Sequence, residues 1–205
     1  MNAIDTAVFL WINGDPHASA AMVAFATFMS QRAPAVAGVG LLVAAVIGGR
    51  PARGAVLRAV LAMSLAWITV SVIRRGFPMP RPASLNLGWQ LLQHRGNSGF
   101  PSHHAAGALA CWHALAFSPW LRGRRALVAV GLVIALAIAW SRIYLGVHFP
   151  KDVLVGGAIG CIASVVVGRA VTYLGMRLQR RRADAAAAAA ATATATAVVV
   201  ETGSP

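Results

Sequence analysis

The sequence predicts an all-α, polytopic membrane bundle of five to six spans with an anion-binding active site at its outer face. Three observations carry this. First, 58% of the 205 residues are of the AVILMFWYC class, only 11% are charged, and mean hydropathy is +0.68. Soluble domains average about 25% charged residues, so a disordered chain is excluded and a soluble globular one is disfavoured. Second, the apolar residues fall into runs near the ~20 residues that cross a bilayer core. Third, the chain is strongly basic, with 18 Lys+Arg against 5 Asp+Glu and a net charge of +13, and the cations gather in particular segments.

The elements follow in order. Residues 4–12 and 18–29 are apolar but short, parted by the breaker Asn13-Gly14-Asp15-Pro16. The first reads as interfacial, the second as a sixth span or a re-entrant piece. No basic residue precedes the first apolar stretch, so a secretory n-region is lacking. Spans are expected over 33–49, 55–73, 102–121, 126–140 and 153–176, with Ser102 as an N-cap of the third. From about residue 183 the chain is an Ala run followed by an Ala-Thr alternation. The expected organisation is therefore an N-terminal interfacial or re-entrant segment (1–32), a membrane core (33–182) and a low-complexity tail (183–205). Cys111 and Cys161 read as small core residues, because nothing near them has metal-ligand spacing.

Charge placement sets the orientation. Arg50, Arg53 and Arg58 lie between the first two spans, Arg122, Arg124 and Arg125 between the third and fourth, and Arg177, Arg180, Arg181 and Arg182 after the fifth. These alternate segments share one side, which the positive-inside rule makes cytoplasmic. The two remaining connections face outward, yet they carry Arg74, Arg75, Arg81, Arg95 and Arg142. Cations there oppose the insertion bias and are expected to bind something. Headgroup contact is an equal alternative for Arg75 and Arg95. His94 lies in the same outer stretch, and Trp89 with Leu85, Leu87, Leu91 and Leu92 suggests an outer flap near a lipid tail.

Three clusters on that outer face combine into a site. They are Arg74 to Pro82, Phe100 to His104, and Ser141 to Asp152. Arginine offers a planar fork of donors suited to phosphate oxygens, and a helix N-terminus at Ser102 adds backbone N–H groups. Pro150 is a good first helical residue, so Asp152 falls in a first turn, close enough to reach back to His148. A carboxylate on one ring nitrogen fixes the tautomer and frees the other nitrogen to attack. A second histidine from the 102–121 span can protonate the leaving oxygen. The chemistry implied is phosphoryl transfer through a phosphohistidine. Dinuclear metal catalysis needs several carboxylates, but Asp152 is the only acid between residues 33 and 176. No metal or other cofactor is expected, and the arginines would stabilise the transition-state charge.

These clusters read Arg74-x6-Arg81-Pro82, Pro101-Ser102-His103-His104 and Ser141-Arg142-x5-His148-x3-Asp152. They resemble the type 2 phosphatidic acid phosphatase (PAP2) superfamily pattern K-x6-R-P, P-S-G-H and S-R-x5-H-x3-D. The resemblance covers about residues 2–176. The opening Phe9-Leu10-Trp11-Ile12-Asn13 and the block 140–148 look most like the bacterial undecaprenyl-diphosphate phosphatases. The resemblance implies His148 as nucleophile, Asp152 as its orienting partner and His104 as general acid. It implies Arg74, Arg81, Ser102, His103 and Arg142 as phosphate binders. Two positions depart from the pattern. Arg74 replaces Lys, with Arg75 as a rival, and His103 replaces Gly, where a Cβ limits close approach.

The expected activity is hydrolysis of a lipid phosphate or diphosphate, undecaprenyl diphosphate foremost, by a multi-pass protein of the bacterial inner membrane whose site faces the periplasm. Phosphatidylglycerophosphate or phosphatidate hydrolysis and lipid phosphotransfer use the same residues. A non-catalytic anion-binding membrane protein ranks lower, because few polar residues line the spans. The expected partners are the lipid substrate and the surrounding membrane lipids, not nucleic acid.

Overall fold

A computed structural model describes residues 3–93 and 98–202, with side chains described to residue 187. The sequence expectations for His94 and Arg95 lie outside the described residues. The chain forms two compact units, Met1–Val167 and Gly168–Pro205.

Seven α-helices and two 3-10 turns make up the described chain, in line with the all-α expectation. Helix α1, Ala3–Ile12, ends where Asn13 donates its N–H to the Phe9 carbonyl at 2.8 Å. Helix α2, Ala20–Gln31, is capped by the Ser19 hydroxyl. Helix α3, Ala33–Ile47, follows at once, bent by 46° at Arg32 with Pro34 in its first turn. Helix α4, Gly49–Gly76, has 28 residues and runs well past the expected 55–73. Arg53 in its first turns donates Nε to the Ala45 carbonyl at 2.9 Å and so caps the end of α3.

The 3-10 turn Pro82–Leu85 lies in the connection to α5, His103–Ala116. Helix α5 has 14 residues rather than the expected 20, because Phe117 ends it and Ser118-Pro119 opens a second 3-10 turn, Pro119–Leu121. At 1.5 Å per residue that is about 21 Å, short of a bilayer core. Helix α6 covers Arg125–Tyr144, and α7, Pro150–Thr202, begins at the proline expected to start it. Among the described residues three helices are long and apolar enough to cross a membrane, or four if α2 and α3 form one bent span. Length and composition thus support three to four spans, the coarser part of the expected five to six. Residues 33–49 reach span length only together with α2, and 102–121 is broken by Pro119.

The core of the first unit is built on small residues. Along α4, Ala52, Ala55, Ala59, Ala62, Ala66 and Val70 are buried at helical spacing, and the last four of these pack with Ala106, Ala110 and Ala114 of α5 and Ala163 of α7. With no hydrophobic drive between helices in lipid, close backbone approach supplies the packing. It is closest where α7 meets α5. A Cβ on Gly160 would collide with the Ala106 carbonyl, and one on Gly156 with the Ser102 backbone. Nothing lies within 4 Å of a Cβ on Gly107. Gly160→Leu is therefore expected to destabilise the protein by about 3 kcal/mol or more, whereas Gly107→Ala keeps wild-type stability or exceeds it. Thermal unfolding in detergent checks the pair.

A second cluster joins α1 to the α6–α7 corner. Phe9 and Phe149 meet edge to face with centroids 5.3 Å apart, amid Ala105, Ala139, Ile143 and Val153. Leu85 and Leu87 pack against this cluster, and Leu91 and Leu92 against Ala26, Leu145 and Val147. The leucines expected to form a flap are half-buried against these clusters, and Trp89 alone of that group is exposed.

Candidate active site

The site gathers where the start of α5, the end of α4, and the α6–α7 corner converge. Tyr144 ends α6, and Gly146 takes φ +74°, a conformation suited to glycine, so that the chain turns sharply. The amides of Val147 and His148 both donate to the Arg142 carbonyl, at 3.0 and 3.1 Å. His148 is thereby held immediately before α7 and is 1% exposed. Asp152, in the first turn of α7, lies with Oδ2 3.4 Å from His148 Nδ1 and accepts the Phe149 N–H at 3.0 Å.

The tautomer follows from the neighbours. Arg81 Nη1 lies 3.4 Å from His148 Nε2, and a guanidinium can only donate. Nε2 is therefore the acceptor, and the ring proton sits on Nδ1 facing the carboxylate. Burial first, then the positive charges of Arg81, Arg142, Arg74 and His104, hold the imidazole well below the usual 6.5. At neutral pH the ring is neutral, with its Nε2 lone pair buried and turned toward Arg81.

Backbone carbonyls hold Arg81 and Arg74, and a hydroxyl holds Arg142. Arg81, buried at the head of the first 3-10 turn, donates Nη1 to the Val147 carbonyl at 2.9 Å and Nη2 to the Ser98 carbonyl at 3.2 Å. Arg74, in the last turn of α4, donates Nε to the Pro101 carbonyl at 2.8 Å, while its neighbour Arg75 is exposed. Successive helical residues point ~100° apart, and Arg74 is the one turned inward. Arg142, 1% exposed on α6, donates Nη1 to the Ser30 hydroxyl, and its Nε and Nη2 are buried with no hydrogen-bond partner among the described residues.

The start of α5 closes the arrangement. Ser102 is fully buried, caps the helix through Ala105, and donates its N–H to the Asp152 carbonyl at 2.8 Å. This bond locks α5 to α7 beside the His148–Asp152 pair. His103 and His104 are both half-buried in the first turn. The His103 ring stacks on Trp67 at 5.7 Å, whereas His104 bears electrostatically on His148. Among the described residues no group of three or more His, Cys, Asp or Glu side chains could hold a metal ion.

The structure thus brings together the residues of all three motifs. It also reveals three that sequence reasoning missed. Asp5 accepts the Lys151 N–H at 2.9 Å and pairs with its ammonium at 3.7 Å, pinning α1 to the start of α7. Asn13 donates to the carbonyls of Trp89 and Tyr144 at 2.9 and 3.0 Å and accepts the Trp89 N–H, fastening the 86–91 strap to the end of α6. Ser30 holds Arg142. Their one signal was polarity inside otherwise apolar helices or at a helix end.

The sequence pattern of the PAP2 superfamily matches residues 55–181. The chain belongs to the PAP2 superfamily. Over 86% of its length it is 31% identical to a putative undecaprenyl-diphosphatase, YbjG, of Escherichia coli K12, covering 89% of that protein. It is 28% identical to the undecaprenyl-diphosphatase BcrC of Bacillus subtilis, over 78% of this chain and 79% of that one. In three dimensions this PAP2 chain resembles the crystal structure of Aquifex aeolicus LpxE, with a TM-score of 0.69 at 28% identity, over 82% of this chain and 96% of that one. The shared fold extends to a PAP2-type phosphatidylglycerolphosphate phosphatase from Bacillus subtilis, with a TM-score of 0.68 at 21% identity, over 84% and 88% of the two chains. The PAP2 match begins at residue 55, so Asp5, Asn13 and Ser30 all lie ahead of it.

Proposed function

We propose that this PAP2 protein hydrolyses a membrane lipid diphosphate, undecaprenyl diphosphate, to the lipid monophosphate and inorganic phosphate. His148 Nε2 attacks the terminal phosphorus as the bond to the bridging oxygen breaks. His104 gives its proton to that oxygen, and the lipid monophosphate leaves. Water then attacks the phosphohistidine, passing a proton to the now basic His104, and phosphate departs. Arg74, Arg81 and Arg142, with the α5 N-terminal amides of His103 and the Ser102 cap, meet the anionic oxygens. Asp152 offsets the positive charge that develops on the imidazole. The scheme uses no metal.

The observation that carries this reading is a buried histidine held between Asp152 and Arg81, with Arg74 and Arg142 acting on it. A groove of about 1180 Å³ supports the lipid part of it. It runs between α3, α4, α5 and α6, starts at His103 and His104, and is lined by apolar side chains such as Leu41, Met63, Trp67 and Ile134. A chain anchored by its phosphate has an apolar path leading away from the site. The charge pattern supports a multi-pass protein of the bacterial inner membrane with the site facing the periplasm and the basic segments facing the cytoplasm. The core chemistry is assigned to residues 33–182, the segment 1–32 acting as its support and 183–205 carrying none.

Purified protein in EDTA is expected to release phosphate from undecaprenyl diphosphate with a kcat/KM about tenfold or more above those for phosphatidylglycerophosphate and phosphatidate. Equal rates on all three would overturn the choice of lipid. Absence of release from any of them, with a phosphorylated acceptor lipid appearing instead, would replace hydrolysis by transfer.

A further inference from the structure

We propose that Ser30 is a positioning residue for the substrate phosphate, acting through Arg142. The proposal rests on Arg142 meeting that phosphate, as in the reading above. Ser30 lies on α2, ahead of the PAP2 match, and is 1% exposed. Its hydroxyl accepts from Nη1 of Arg142. A guanidinium is a flat fork with two edges able to grip an anion bidentately, one of them formed by Nε and Nη2. Those two nitrogens are the pair left buried without a hydrogen-bond partner among the described residues. Donors stranded in this way are costly unless something completes them. The surrounding charges identify what that is. The positive charges of Arg81, Arg142 and Arg74 all bear on His148, which has Asp152 on its other ring nitrogen.

Ser30 therefore does two things. It takes up an Nη1 N–H that would otherwise compete for the anion or tilt the fork, and it opposes rotation of the guanidinium about its long axis. The Nε–Nη2 edge then stays aimed at phosphate. Because Ser30 reports the position of α2, which packs on α6, the N-terminal segment becomes part of the phosphate site although none of its residues is expected to touch substrate.

The test is a double-mutant cycle of Ser30→Ala and Arg142→Ala, read as inhibition by inorganic phosphate and as kcat and KM on the lipid diphosphate. A hydrogen bond to a charged group predicts that Ser30→Ala weakens phosphate inhibition about tenfold. In the Arg142→Ala background the same change should have no further effect. A purely structural role for Ser30 would instead lower the melting temperature and the yield of active enzyme, leaving the phosphate inhibition constant in place. Retained phosphate inhibition in Ser30→Ala, or losses that multiply independently in the double variant, would overturn the proposal while the phosphatase reading stands. Unchanged inhibition in Arg142→Ala alone would overturn the role of Arg142 in that reading and this inference with it.

Discussion

His148→Ala should reduce phosphate release from the lipid diphosphate by about 10⁴-fold or more, to a residue of catalysis left by the anion site alone. No other group replaces it. The remaining histidines near the phosphate site, His103 and His104, sit on α5 rather than beside Asp152, and the alanine leaves the arginines in place. Binding should therefore survive: the variant still takes up phosphate, with KM or inhibitor affinity changed far less than kcat. A covalent readout isolates the step. Rapid quenching with substrate labelled in its terminal phosphate should trap an acid-labile phosphoprotein in the wild type and none in His148→Ala. Full activity in the variant would remove the mechanism.

The pH dependence follows from the same environment. Burial and the cations around His148 lower its pKa below 6.5. The nucleophile is thus in its active, unprotonated form at neutrality, and on the acid side activity falls once the ring is protonated. The acidic limb of kcat/KM is expected below pH 6.5, with the alkaline limb set by loss of the proton from the general acid. Stability moves the same way. The unfolded chain binds a proton on this histidine from about 6.5 downward, the folded one only at lower pH, so stability falls as pH drops through that window.

Much of the site was legible because its residues are clustered along the chain. Pro150 fixes the start of α7, four-residue spacing brings His148 to Asp152, and Ser102 caps α5, all local relations. The supports were not legible, because they are not local. Asp5 meets Lys151 across 146 residues, Asn13 meets Tyr144 across 131, and Ser30 meets Arg142 across 112. No periodicity encodes such pairings. The fold shows the same division. Apolar runs located the helices, but hydropathy does not register the bend at Arg32 or the stop at Phe117, where Pro34 and Pro119 act on backbone rather than on side-chain polarity.

Asp152→Asn is expected to lower kcat by about 10³-fold with KM nearly unchanged. The carboxylate makes two contacts, one to the His148 ring and one to the Phe149 N–H. Asparagine is nearly isosteric and can satisfy either through its carbonyl oxygen. If that oxygen faces both donors, the tautomer persists but the charge opposing the imidazolium in the transition state is gone. If the amide turns its NH₂ to Nδ1, the ring proton moves to Nε2 and the nucleophilic lone pair is lost. Both routes act on the chemical step, and neither touches phosphate. Asp152→Ala separates the charge from the structure. It also leaves the Phe149 amide unsatisfied, so it should cost about 1–3 kcal/mol of stability that Asp152→Asn does not. A loss in Asp152→Asn of less than about tenfold would mean that His148 needs no carboxylate to hold its tautomer. In that case Arg81, donating to Nε2, would be sufficient to orient the ring.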